Sequence, residues 1–99
     1  MKKTFLLTHP KIKTARLIEA IRRDVKKYLK REKRKSLPDG ADYWDFDCKF
    51  GPTEDKAEMI LVSEISKCIT EVEAENLKSF YLEILAKPSL KIFFTKPKI

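Results

Sequence analysis

Between residues 14 and 50 the apolar period of this chain switches from helical to strand-like, and that switch constrains the fold more than any other feature. From Thr14, a residue type that suits an N-cap, apolar side chains fall at Leu17, Ile18, Ile21, Val25, Tyr28 and Leu29, the spacing of one helical stripe. A helix is expected from about residue 14 to about 34, roughly 30 Å long at about 1.5 Å per residue. Leu37-Pro38-Asp39-Gly40 ends it with a turn signature. Tyr43 to Phe50 then alternates, with Trp44, Phe46, Cys48 and Phe50 on one face and Tyr43, Asp45, Asp47 and Lys49 on the other. A strand with so aromatic a face needs cover, so that row belongs to a core.

The remaining segments fit around this pair. Thr4 to Thr8 alternates loosely and stops before Pro10, which predicts a short first strand. Gly51-Pro52 breaks the aromatic strand, and Met59-Ile60-Leu61-Val62 predicts a short third one. Ser63 is placed to cap a second helix, with Ile65, Cys68, Ile69 and Val72 at helical spacing and an end near Asn76. Ser79 to Lys87 predicts the last strand, Phe80, Leu82, Ile84 and Ala86 alternating with Tyr81, Glu83, Leu85 and Lys87 until Pro88 closes it. The order β-α-β-β-α-β implies an α+β two-layer sandwich of the ferredoxin-like type, an antiparallel sheet covered on one face by two helices. Residues 1–88 are read as one α+β domain and residues 89–99 as a C-terminal tail. Within that tail Leu90-Lys91-Ile92-Phe93-Phe94-Thr95 is β-prone, which fits an edge strand, a sticky exposed end or an oligomer contact such as a tail-mediated dimer.

Several function classes are excluded early. No apolar stretch approaches the roughly 18 residues of a membrane span, and the apolar run after Lys2 and Lys3 is too short for a signal peptide, so a cytoplasmic protein without a membrane partner is expected. Cys48 and Cys68 lie in apolar patterns with no CxxC, which reads as buried free thiols in a reducing compartment. With a single histidine, His9, a closed zinc site is not expected. No GxSxG, Walker loop or HExxH is present, and two glycines cannot build the usual phosphate cradle. The chain therefore leans away from an enzyme, and no catalytic residue, metal or cofactor is assigned.

The run KREKRKSLPDGADYWDFDCKFG together with SFYLEILAKP resembles a family of small bacterial proteins of about this length, a domain of unknown function. The likeness runs from Lys2 to about Pro88. It implies a bacterial cytoplasmic setting and assigns no functional residue.

Charge supplies the best functional signal. The formal net charge of +7 is unevenly spread. Arg22, Arg23, Lys26, Lys27, Lys30, Arg31, Lys33, Arg34 and Lys35 face only Asp24 and Glu32, whereas Asp39, Asp42, Asp45, Asp47, Glu54 and Asp55 face Lys49 alone. Those nine bases exceed what solubility requires and form the candidate contact to RNA, DNA or a ribonucleoprotein. The bland alternative is a solvated face. A second reading is a protein-interaction module whose charged faces or Ile92-Phe93-Phe94 tail meet an acidic or apolar partner. The third and weakest is a small metal-assisted enzyme built on Asp45, Asp47 and Glu83, against the favoured plain reading that Asp45 and Asp47 pair across strands with Lys49, Lys87 or tail lysines or are simply exposed. If Asp45 and Asp47 point away from the helices, the basic and acidic surfaces lie on opposite sides. An RNA platform on the open sheet would then set Tyr43 and Tyr81, which suit stacking, beside Asp45, Asp47 and Glu83, which repel phosphate.

Overall fold

The computed structural model describes residues 1–90. Its elements run β1 (Lys2–Leu6), α1 (Thr14–Lys33), β2 (Tyr43–Gly51), β3 (Glu58–Ile60), a 3-10 turn (Val62–Glu64), α2 (Ile65–Ala74) and β4 (Ser79–Ser89). All strand pairs are antiparallel, and the sheet order is β1-β4-β2-β3. The ferredoxin-like β-α-β-β-α-β arrangement expected from the sequence is therefore not the one adopted. What forms is an α+β unit with a four-stranded antiparallel sheet and two helices.

Burial explains the difference. β4 is the longest strand, its Phe80, Leu82 and Ile84 have no exposed surface, and even its outward Tyr81 is covered. Such a strand belongs in the interior of a sheet. β1 buries only Phe5 among its five residues and β3 spans three, so both take edges. Phe5 and Phe50 flank Phe80 with ring centroids 5.3 and 5.2 Å away, spacings at which aromatic pairs attract beyond their buried area.

Both helices cover the same face. Ile18, Ile21 and Val25 of α1 and Ile65, Ile69 and Val72 of α2 join Phe46, Cys48, Phe80, Leu82 and Ile84 in one core. The helical stripe and the aromatic row read from the sequence thus meet each other. Asp47 and Lys49, on the other parity of β2, are exposed.

Element ends depart from expectation in small ways with local causes. Lys13 occupies the N-cap of α1, while the Thr14 hydroxyl donates to the Leu7 carbonyl at 3.2 Å and ties the helix start to the end of the first strand region. Ser63 lies within the 3-10 turn, where the Glu64 carboxylate accepts the Leu61 N–H at 2.8 Å. α2 closes through Asn76 at φ 54, with Leu77 N–H donating to the Val72 carbonyl and Asn76 N–H to the Glu73 carbonyl, a Schellman closure. Pro88 does not stop β4, because β1 pairs it only as far as Glu83, and where no described strand lies on that side a missing N–H costs no ladder bond. The tail expected over residues 89–99 begins inside β4 at Ser89, and from Lys91 onward, Ile92-Phe93-Phe94 included, it lies outside the described residues.

The central position of β4 has a measurable consequence. Phe80→Ala should lower unfolding free energy by about 3–5 kcal/mol in urea titration, whereas Met59→Ala, at a side chain 76% exposed, should change it by less than about 0.5 kcal/mol.

Candidate nucleic-acid interface

α1 turns about 100° per residue, so its buried stripe fixes where every charge points. Opposite Ile18, Ile21 and Val25 lie Arg23, Lys26, Lys27, Lys30, Lys33 and Arg34, all exposed. None of these six side chains makes a hydrogen bond or ion pair with a described residue. Glu32 falls on the buried side of the helix, the exposed Asp24 lies on its flank and the exposed Glu19 precedes Arg23 by one turn, so the outward surface is without acid over its C-terminal half. Positive charge in the last turn, Lys30, Arg31 and Lys33, also complements the helix dipole, so the cluster does not oppose the helix that carries it.

The other three bases named from the sequence have partners. Arg22 reaches across to α2, donating to the Ser66 hydroxyl and the Thr70 hydroxyl at 2.7 Å each. Arg31 lies over the Tyr28 ring, 5.6 Å from its centroid. Lys35 pairs with Glu32 at 2.6 Å, and the bond it donates holds the Glu32 carboxyl below its ordinary range. Tyr28, pushed up first by burial and then by Glu32, also donates to the Ile84 carbonyl at 3.4 Å. The Trp44 indole N–H donates to the Lys35 carbonyl at 2.9 Å. The end of α1 is thus clamped to β4 and β2 from beneath, while its upper surface is left to solvent. Ser66, Thr70 and Trp44 carried no sequence signal for these roles, because each depends on where a second element lies.

The open face of the sheet is more balanced than the acidic count implied. Lys87 donates to Asp47 at 2.8 Å, which pushes the lysine up and sets a positive charge beside the carboxylate. Glu83 stands between Lys2 and Lys49 in the strand register and accepts the Tyr81 hydroxyl at 2.8 Å. Tyr81, 3% exposed, is pushed up to about 12, first by burial and then by Glu83. The β2–β3 loop closes over this region, where a Cβ on Gly51 would come within 2.7 Å of the Lys56 carbonyl oxygen and the Ala57 Cα. Tyr81 therefore cannot stack on a base, and Tyr43 is left as the exposed aromatic of that face. Asp45, Asp47 and Glu83 form no metal cage: among the described residues no group of three or more His, Cys, Asp or Glu could hold an ion.

The remaining reactive side chains are placed for structure. His9 accepts the Lys11 N–H at 3.0 Å in an exposed turn. Cys48 is buried in the core, and burial, with Asp47 and Asp45 adding, pushes its thiol up to about 11, far from a nucleophilic thiolate. Cys68 is half-buried and likewise pushed up by burial. No helix among the described residues is long and apolar enough to cross a membrane.

A family model described as "Family of unknown function (DUF6172)" matches residues 1–94, beyond the Pro88 limit read from the motifs. The chain belongs to DUF6172. No curated protein and no solved structure matches it. Membership in DUF6172 assigns no role to the α1 surface.

Two measurements check this division of residues. Arg22→Ala should destabilise the fold by about 0.5–1 kcal/mol through loss of the α2 contacts, while Arg23→Ala should leave thermal stability unchanged. Tyr81 has a folded pKa above its ordinary 10.0, so its contribution is complete below pH 10 and is lost as pH rises toward 12. Denaturation of the wild type across that window should show a steeper loss than Tyr81→Phe.

Proposed function

We propose that this protein is a non-enzymatic module that binds nucleic acid, or a ribonucleoprotein through its nucleic acid, by the outward surface of α1. The observation that carries the reading is the set of six exposed, unpartnered bases, Arg23, Lys26, Lys27, Lys30, Lys33 and Arg34, on one helical surface. Leaving them unpaired concentrates positive potential, and phosphate binding gains from release of condensed counterions. Arg22, Arg31 and Lys35 serve first as structural ties, with the charges of Arg31 and Lys35 adding to the potential at the end of the helix. A bacterial cytoplasmic setting completes the proposal.

Fluorescence anisotropy with labelled mixed-sequence DNA and RNA tests it. Binding should fall about a thousandfold between roughly 50 and 200 mM salt if about six phosphates are neutralised. A Lys26→Glu, Lys27→Glu, Lys30→Glu variant should fold as the wild type does by circular dichroism and lose binding. Unchanged affinity in that variant, or no wild-type binding at low salt, defeats the proposal and turns the search to an acidic protein partner for the same surface.

A further inference from the structure

We infer that the ligand of α1 is B-form duplex DNA, seated with the C-terminal half of the helix in the major groove; this rests on the α1 reading above and narrows it. Two consecutive pairs, Lys26-Lys27 and Lys33-Arg34, each step about 100° around the helix. Their members fall on opposite flanks, with Arg23 and Lys30 on the crest between them. A helix carrying bases on both flanks and its crest meets two rows of phosphate at once, and only a duplex presents two rows across a groove. An α-helix with side chains is about 10–12 Å across, close to the roughly 12 Å width of the B-DNA major groove. The corresponding groove of A-form RNA is deep and narrow and does not admit it.

Access follows from the helix lengths. α2 has 10 residues against 20 in α1. The shallow cavity between the helices is lined on the α1 side by Arg22, Val25, Lys26 and Leu29, so the turns from Lys30 onward extend past α2. The exposed acids Glu71 and Glu75 lie at the opposite end of α2, around a cavity shared with Lys56, away from the free end of α1.

Single-stranded nucleic acid fits poorly for a separate reason. Strand-tracking sites combine a basic groove with aromatic platforms on which bases stack. Beside α1 the aromatics are engaged: Tyr28 lies under Arg31, and Trp44 is half-buried with its N–H on the Lys35 carbonyl. Tyr43 is exposed on the far face of the sheet, and Tyr81 is covered.

The test is anisotropy on one mixed sequence of about 20 base pairs prepared as duplex DNA, duplex RNA and each single strand, at a fixed salt concentration near 0.1 M. Duplex DNA should bind at least about tenfold more tightly than the other forms, and Lys33→Glu, Arg34→Glu should remove that preference along with most affinity. If a single strand or duplex RNA binds as tightly as duplex DNA while salt-sensitive binding persists, the duplex inference is overturned and the α1 reading stands. If none of the forms binds, both fall.

Discussion

The burial of Phe80, Leu82 and Ile84 in the middle of the sheet is the constraint on which the rest of the molecule depends. Those three side chains require helices above them and paired strands on either side. β1 and β2 meet the second requirement, and α1 and α2 meet the first. Because β4 is antiparallel to both of its neighbours, β1 and β2 run parallel to each other with β4 between them, and the connection that joins them must pass over the sheet. α1 is that connection. Its length and its position over β4 are therefore consequences of the core, and so is the direction in which its charges point.

Fixing α1 in this way separates its chemistry into two halves. Toward the sheet, the helix contributes apolar packing, the Tyr28 bond to Ile84, the Glu32–Lys35 pair and the carbonyl that receives Trp44. Away from the sheet it presents only cations over its last turns. Repulsion among those cations costs the helix some stability, which the dipole and the clamp at the helix end offset. Of the acids of α1 only Glu32 turns inward, to pair with Lys35, while Glu19 and Asp24 are exposed; over the last turns the outward bases meet no acid, and it is that stretch on which the proposed phosphate contact draws.

What could be read from the sequence was whatever depends on local period. The α1 stripe from Leu17 to Leu29, the alternation of Tyr43 to Phe50 and that of Ser79 to Lys87 correspond to observed elements within a residue or two. Sheet order was not local. It turns on which strand tolerates exposure, and the relevant clues were dispersed: Lys2 and Thr4 on the outward side of β1, an outward Tyr81 on β4, and a β3 of only three residues. The same limit applies to the candidate site. Nine bases could be counted, but that Arg22 serves α2 through Ser66 and Thr70 depends on residues 44 and 48 positions away. The acidic block is offset from a distant part of the chain, since Lys87 on β4 pairs with Asp47.

The uncovered stretch of β4 shows how the same strand avoids a hazard that its length creates. Past Ile84, which still exchanges bonds with Met1, β4 has no neighbour on the β1 side among the described residues, and β2 before Cys48 lacks β3, so a two-stranded ribbon projects beyond the four-stranded part of the sheet. Free edges of that kind invite pairing with other chains. Here the edge carries Pro88, which cannot donate, and Lys87, which two copies pairing antiparallel about that residue would bring face to face. On its helix side the ribbon is covered by the end of α1 through Trp44 and Ala86. The segment that keeps the ribbon from being a sticky edge is thus the one that carries the basic surface, so loss of the α1 clamp would expose an apolar strand face as well as displace the cations.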